Sequence, residues 1–150
     1  MAGPLALCLL ASALAAGPSH IGNAPPMKLE EYVSDLTADR RSDRLFAARE
    51  LRRRVRHAER TAGSKPGTLR QLEARHELAF YAREVAPRCI EELNNYRELR
   101  VPCSEMLGIL ESSASLSALE EAHRIETRRW ALRRIHHAII RVQESKSVSP

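Results

Sequence analysis

The sequence contains few aromatic residues and few glycines, and this scarcity restricts the fold class. Two Phe, three Tyr and one Trp among 150 residues mean that the core is built mainly from Leu, Ile, Val and Ala. Such a core suits the packing of helix on helix better than a β-sandwich, which draws on β-branched and aromatic residues. Five of the six glycines lie within the first 67 residues, which leaves the later chain free to be helical. We therefore predict an all-α fold.

The sequence also lacks an apolar run of membrane-spanning length. Its N-terminal run, Leu5–Ala16, has 12 residues, whereas a spanning helix needs roughly 20. Because Ala13-Leu14-Ala15 matches the A-x-A cleavage motif, we predict a secretory signal over residues 1–16, cleaved near Ala15 or Ala16. No Lys or Arg precedes the run, so a buried helix and a mis-set start codon are the alternatives. No transmembrane segment is expected once the signal is removed.

Cysteine is scarce as well. Of the three cysteines, Cys8 would leave with the signal, so the exported chain would keep Cys89 and Cys103. An even pair in an oxidising compartment is a candidate disulfide. The bridge is feasible if the helix that carries Cys89 ends near Leu93, because a full helix up to residue 100 would hold the two cysteines roughly 15–20 Å apart. The alternative is a pair of unpaired buried thiols.

Apolar residues recur at intervals of three and four along the rest of the chain, which is the pattern of helices with one buried face. The predicted segments are a linker over 17–27, a helical domain over 28–144 and a polar tail over 145–150. Helices are expected over 28–36, 43–61, 68–86 with a weak continuation to Leu93 after Pro87, 102–112, a short stretch around 116–123, and a longer stretch ending near Val142. On the long third helix, the spacing predicts an inward face made of Leu69, Leu72, His76, Ala79 and Phe80.

Two stretches, Asp43–Leu51 and Met106–Ala131, resemble repeats of the HEAT type, which are helical hairpins that stack into an α-solenoid. In that family a short helix ends in a polar turn, and the next helix carries an Arg and paired small residues. Ala47 and Ala131 lie 84 residues apart, or two periods of about 42, which is within the range of such repeats. The resemblance, to exported bacterial proteins of this type, implies a short solenoid of about three hairpins. An irregular helical bundle is the alternative, since the insertion Asn94–Val101 interrupts the middle unit.

No catalytic or ligand-binding constellation is recognisable in the sequence. His76-Glu77 lacks a second zinc ligand one turn later, where Phe80 stands. The adjacent His136 and His137 point about 100° apart on a helix and do not hold one ion together. Gly63-Ser64-Lys65 lacks the earlier glycine of a phosphate-binding loop. We therefore expect no enzymatic activity, no cofactor and no metal.

Arginine provides the one positive functional signal. Nine arginines and four acidic residues lie between Asp39 and Arg60, a local charge of +5 that equals the formal net charge of the whole chain. A second basic cluster occupies the last hairpin. Because guanidinium groups bind phosphate and carboxylate through two parallel hydrogen bonds, these clusters indicate an anionic partner, the alternative being a merely solvated face. The predicted partner-binding residues are Arg49, Arg53, Arg56, Arg60, Trp130, Arg133 and Arg134.

These observations predict a non-enzymatic helical-repeat scaffold, periplasmic or secreted, that engages a partner protein or an anionic component of the cell envelope. The alternative is a cytoplasmic nucleic-acid-binding protein, which suits the sequence pI of about 9.6 but requires that the N-terminal run is not a signal. The pattern specifies neither the oligomeric state nor the identity of the partner.

Overall fold

The computed structural model describes residues 28–64 and 66–148, which form six α-helices. Neighbouring helices pack with antiparallel contacts, and the predicted all-α fold is confirmed. The predicted signal and linker, residues 1–27, lie outside the described residues. The helices are α1 (Leu29–Asp35), α2 (Arg41–Ala62), α3 (Leu69–Glu92), α4 (Arg100–Ile109), α5 (Leu116–Ile125), preceded by a 3₁₀ turn at Ser113–Ser115, and α6 (Arg129–Val148).

Local sequence signals account for the start of α3. The Thr68 hydroxyl accepts a hydrogen bond of 3.2 Å from the backbone N–H of Gln71 and so caps the N-terminus of the helix. Gly67 precedes it with φ of +84°, a left-handed conformation that favours glycine. The helix continues through Pro87 without a break and ends at Glu92. At the other end of the chain, α6 extends to Val148 and includes residues that the sequence predicted as tail.

The apolar residues that recur at intervals of three and four on α2 and α6 are buried. Both stripes consist of small and aliphatic residues, so each helix presents one continuous face to the core. The buried residues are Ala47, Ala48, Leu51, Val55 and Ala58 on α2, and Ala131, Ile135, Ala138, Ile139 and Val142 on α6.

The predicted inward face of α3 is wrong. Leu69 and Leu72 are 78% and 48% exposed, His76 and Ala79 are exposed, and Phe80 is only half-buried. Helix α3 carries two apolar stripes, and the stripe that continues along its full length is the one that packs against α2 and α4. The buried stripe consists of Ala74, Tyr81, Val85, Ala86 and Cys89.

Cys89 lies in the last turn of α3 and Cys103 in the first turn of α4, and both are fully buried. Because α3 ends at Glu92, the two cysteines meet at one end of the helix pair, as a bridge between them requires. They are present as unbonded thiols. Burial, followed by the neighbouring Cys103 thiol, raises the pKa of Cys89 well above its ordinary value. The disulfide stays a prediction.

Two arginine–glutamate pairs join the turns of successive helical hairpins. Arg44, buried near the start of α2, donates a hydrogen bond of 2.7 Å to Glu98 in the α3–α4 turn. Its guanidinium carbon also lies 3.8 Å from the centre of the Tyr96 ring. Arg100 at the start of α4 lies 3.6 Å from a carboxylate oxygen of Glu126 in the α5–α6 turn. The turn between α3 and α4 is therefore fixed from both sides.

Helices α4 and α6 approach each other closely at Gly108. A Cβ atom at this position would lie 3.0 Å from the Cα atom of Ala138 and 3.1 Å from its Cβ atom. The absence of a side chain at Gly108 therefore sets the distance between the two helices. None of the helices in residues 28–64 and 66–148 is both long and apolar enough to cross a membrane.

We predict that Gly108→Ala lowers the free energy of unfolding by about 1–2 kcal/mol, although Gly→Ala within a helix normally raises it by about 1 kcal/mol. The reason is that the added methyl group meets the backbone of α6. Chemical denaturation would measure the change. Gly63→Ala is the matched control, since its Cβ would meet only ordinary contacts at 3.6 Å or more. A Gly108 variant more stable than the parent would contradict the prediction.

Candidate binding groove between α2, α4 and α6

Helix α4 packs against both α2 and α6 and is much shorter than either. It has 10 residues, whereas α2 has 22 and α6 has 20. The outer side of α4 therefore forms the floor of an open groove, and the two long helices form its walls. The groove comprises two adjoining cavities of about 550 and 410 Å³, and Trp130 lines both of them.

The groove is strongly basic. Nine arginines and three glutamates line its two cavities, so the positive charge of the lining exceeds that of the whole chain. We call this surface the arginine groove. Its arginines are Arg41, Arg49, Arg52, Arg56, Arg97, Arg128, Arg133, Arg134 and Arg141.

One carboxylate at the centre of the floor joins the two walls. Glu105 of α4 accepts hydrogen bonds from Arg52 at 3.1 Å and Arg56 at 3.0 Å, both on α2. Its other oxygen accepts a hydrogen bond of 2.5 Å from Arg134 on α6. The Glu105 side chain is only 9% exposed, so solvent screens these interactions weakly. Three cations share one anion, and the cluster keeps a net positive charge.

The other two glutamates of the groove are also held by arginines. At the far end of the 550 Å³ cavity, Arg141 of α6 donates a hydrogen bond of 2.7 Å to Glu59 of α2. Beside the other cavity, Glu98 accepts its hydrogen bond from Arg44, which belongs to the core. Burial tends to raise the pKa of Glu98, but the hydrogen bond from Arg44, a backbone hydrogen bond and the charges of Arg44 and Arg41 together outweigh it, so that the pKa is lowered. Each carboxylate of the groove thus serves as an internal counter-ion.

Three arginines of the groove form no ion pair with a carboxylate of the described residues: Arg41, whose charge still acts on Glu98, and Arg49 and Arg133. The last two stand on opposite walls, Arg49 on α2 and Arg133 on α6. Their guanidinium groups are available to a ligand without the loss of an internal salt bridge.

Trp130 is held at the junction of the two cavities by a chain of contacts that begins in the core. Its ring is 52% exposed, and the guanidinium carbon of Arg128 lies 5.1 Å from the ring centre, a cation–π distance. Arg128 in turn donates two hydrogen bonds, of 3.0 and 2.8 Å, to the carboxylate of Glu126. The Glu126 side chain is fully buried.

Glu126 is ionised over most of the pH range. The hydrogen bonds from the Arg128 side chain lower its pKa to about 2 despite burial, and the backbone N–H groups of Arg128 and Thr127 act in the same direction. Because the folded-state pKa is depressed, its stabilisation is complete above the ordinary pKa of 4.5. This stabilisation is lost as the pH falls through about 2.

We predict that Glu126→Gln lowers the free energy of unfolding by about 2–3 kcal/mol at neutral pH, because the partly buried Arg128 and Arg100 would lose their buried counter-ion. The parent should also lose stability between pH 4.5 and pH 2 more steeply than the variant does. Denaturation at a series of pH values would measure both effects.

The matched control is Glu121→Gln on α5, which removes an exposed carboxylate paired with the exposed Arg124. An exposed pair of this kind contributes less than about 1 kcal/mol. Equal effects of the two substitutions would contradict the role assigned to Glu126.

The structure brings together most of the predicted partner-binding residues. Arg49, Arg56, Trp130, Arg133 and Arg134 all line the arginine groove. The remaining two, Arg53 and Arg60, lie elsewhere. Arg53 pairs with Glu50 at 2.8 Å on the exposed side of α2, and Arg60 donates a hydrogen bond to the carbonyl oxygen of Arg56 and lines a separate shallow depression.

Sequence reasoning missed other residues of the groove. Arg52, Arg128 and Arg141 belong to the basic clusters of the sequence but were not among the predicted partner-binding residues. A signal for Arg52 was present, since its helical spacing from Arg56 places both on the same side of α2. Arg97 and Glu105 carry no such signal, because their role depends on contacts between distant segments. The local charge count alone does not reveal them.

Outside the groove, the rings of His123 and His136 face each other across α5 and α6 with centres 5.7 Å apart. Within the described part of the chain, no group of three or more His, Cys, Asp or Glu side chains is arranged to hold a metal ion.

Comparison of the chain with protein-family models, with curated proteins and with solved structures finds no match in any of the three. The resemblance to HEAT repeats therefore stays a prediction from the sequence, and the structure shows an all-helical protein.

Proposed function

We propose that this protein is a non-enzymatic helical scaffold that binds an anionic partner in the arginine groove. The observation that carries the proposal is the imbalance of charge in the groove, where nine arginines meet three glutamates. Arg49 and Arg133 have no carboxylate partner among the described residues, and each lines a cavity together with the exposed Trp130. Exposed Trp and Arg are the residue types that most often anchor a binding partner.

The carboxylates of the groove support a binding role over a catalytic one. Glu105 accepts hydrogen bonds from three arginines, and Glu59 and Glu98 are each held by one. A general acid or base needs a carboxyl group that exchanges protons near the working pH. Of these three glutamates, Glu98 has its pKa lowered despite burial, chiefly by the hydrogen bond from Arg44, which favours its ionised form. Neither an enzymatic activity nor a cofactor is part of the proposal.

We further propose that the fold is a short HEAT-like solenoid of three hairpins. The turn contacts support this arrangement, because Arg44 binds Glu98 and Arg100 binds Glu126, and each glutamate stands two residues before the next arginine of the series. The series Arg44, Arg100 and Arg128 precedes a fully buried small residue by three positions in each hairpin: Ala47, Cys103 and Ala131.

The spacing within this series is unequal. The first two arginines lie 56 residues apart and the last two 28, so the mean period of 42 conceals a long middle hairpin. The 24 residues of α3 account for much of that length. An irregular bundle remains the competing description of the same six helices.

We propose an envelope or secreted location, as the N-terminal run Leu5–Ala16 indicates. The expected outcome of N-terminal sequencing of the mature protein is a chain that begins close to Ala16. A cytoplasmic protein with Met1 in place would contradict export and favour a nucleic-acid partner.

The groove is tested by charge reversal of Arg49 and Arg133, which stand on its opposite walls. We predict that Arg49→Glu together with Arg133→Glu weakens binding of an anionic probe at low salt by tenfold or more, since about 1.4 kcal/mol corresponds to tenfold. Heparin, a polyanion, serves as the probe, and the emission of Trp130, the one tryptophan of the chain, reports binding.

The matched control reverses Arg75, an exposed arginine of α3 outside the groove, together with Arg53. This variant carries the same change in net charge and should bind almost as well as the parent. Equal loss of binding in the two double variants would show that net charge alone, and not the groove, attracts the probe.

A further inference from the structure

Apolar residues line the arginine groove between its arginines, which distinguishes it from a purely electrostatic track. Leu45, Val101 and Pro102 line one cavity, and Gly108, Ile109 and Ala138 line the other. The two apolar stretches lie on either side of Glu105, because Val101 and Pro102 precede it on α4 and Gly108 and Ile109 follow it. A ligand that fills the groove therefore buries apolar surface on both sides of the Glu105 cluster and meets positive charge along the walls.

The two kinds of surface meet at Trp130. Its ring lines both cavities and is half exposed, so it joins the two apolar stretches. Arg128 lies against the ring and is held by Glu126, so the ring is supported from the core.

A phosphate polymer uses only part of this surface. Its charges repeat along the backbone, and nonspecific binding of nucleic acid depends on those charges and on stacking of bases against several aromatic rings. The groove offers one aromatic ring, Trp130, and several aliphatic side chains. A polypeptide carries both carboxylates and apolar side chains, which match the arginines and the apolar lining respectively.

From this complementarity we infer that the partner presents an acidic polypeptide segment that carries apolar side chains between its carboxylates. The inference rests on the proposed function and names the class of its partner. The apolar side chains lie on Trp130 and on Leu45 or Ile109, which line the two cavities. The flanking carboxylates bind Arg49 on α2 and Arg133 on α6, which need not give up an internal ion pair.

The experiment compares three probes of equal net charge by titration of Trp130 emission. The first is a glutamate-rich peptide with a central Leu-Phe pair, the second has Ser-Ser in place of that pair, and the third is a single-stranded oligonucleotide. We expect the first probe to bind at least about tenfold more tightly than the other two, because only the Leu-Phe pair buries apolar side chains in the groove. Its binding should also resist added salt better.

Substitution of an apolar residue that lines the groove provides the second measurement. Leu45→Ser should remove most of the preference for the Leu-Phe peptide without changing the charge of the groove. Leu45 is only partly buried, so the variant is expected to fold, and thermal denaturation checks that it does. The matched control is Leu72→Ser on α3, which alters an exposed leucine outside the groove and should leave the preference intact.

The outcomes separate the inference from the proposed function. Tightest binding of the Leu-Phe peptide, lost in Leu45→Ser alone, supports the acidic apolar segment. Equal affinities for the three probes, or tightest binding of the oligonucleotide, would overturn the inference and leave an anion-binding groove in place. If none of the probes binds at low salt, the proposed function fails and the inference fails with it.

Discussion

The groove depends on the single carboxylate of Glu105. Without it, Arg52, Arg56 and Arg134 would bring three like charges together above α4, and at such distances each pair repels by roughly 1 kcal/mol in water and more in a partly buried site. The carboxylate joins α2 to α6 through α4 and so fixes the separation of the two walls. It neutralises one of three positive charges and leaves the rest for a ligand.

The arginines of this chain therefore fall into two groups that composition does not separate. Arg44 and Arg100 are directed into turns, where glutamates of the following hairpin hold them, and they contribute to the fold. Arg49 and Arg133 face the groove without a carboxylate partner within the described ranges, and they contribute to the proposed binding. A net charge of +5 is compatible with either use, and only the position of each acidic residue decides between them.

The difference between local patterns and contacts of distant residues also explains which features of the fold and of the groove the sequence could predict. The stripes on α2 and α6 were predictable because each helix has one apolar face at helical spacing, and local periodicity is sufficient for that. Helix α3 was not, because Leu69 and Leu72 compete with a second stripe ending at Cys89, and contacts with α2 and α4 select between them. Helical spacing placed the exposed arginines of α2 away from its apolar face. Whether Arg53 or Arg56 reaches the groove, however, depends on where α4 lies. Glu105, 49 residues from Arg56, has no local signature of its role.

Trp130 links the stability of the fold to the proposed binding. An isolated half-exposed tryptophan on a surface helix is free to change rotamer, and a partner that binds it must then restrict it at a cost in entropy. Here Arg128 lies against the ring, and the buried Glu126 fixes Arg128 through two hydrogen bonds. Glu126 also lies within reach of Arg100 at the start of α4, so one carboxylate orders both the floor and the aromatic ring of the groove. Loss of Glu126 should consequently weaken binding as well as stability, whereas loss of Arg49 should weaken binding alone.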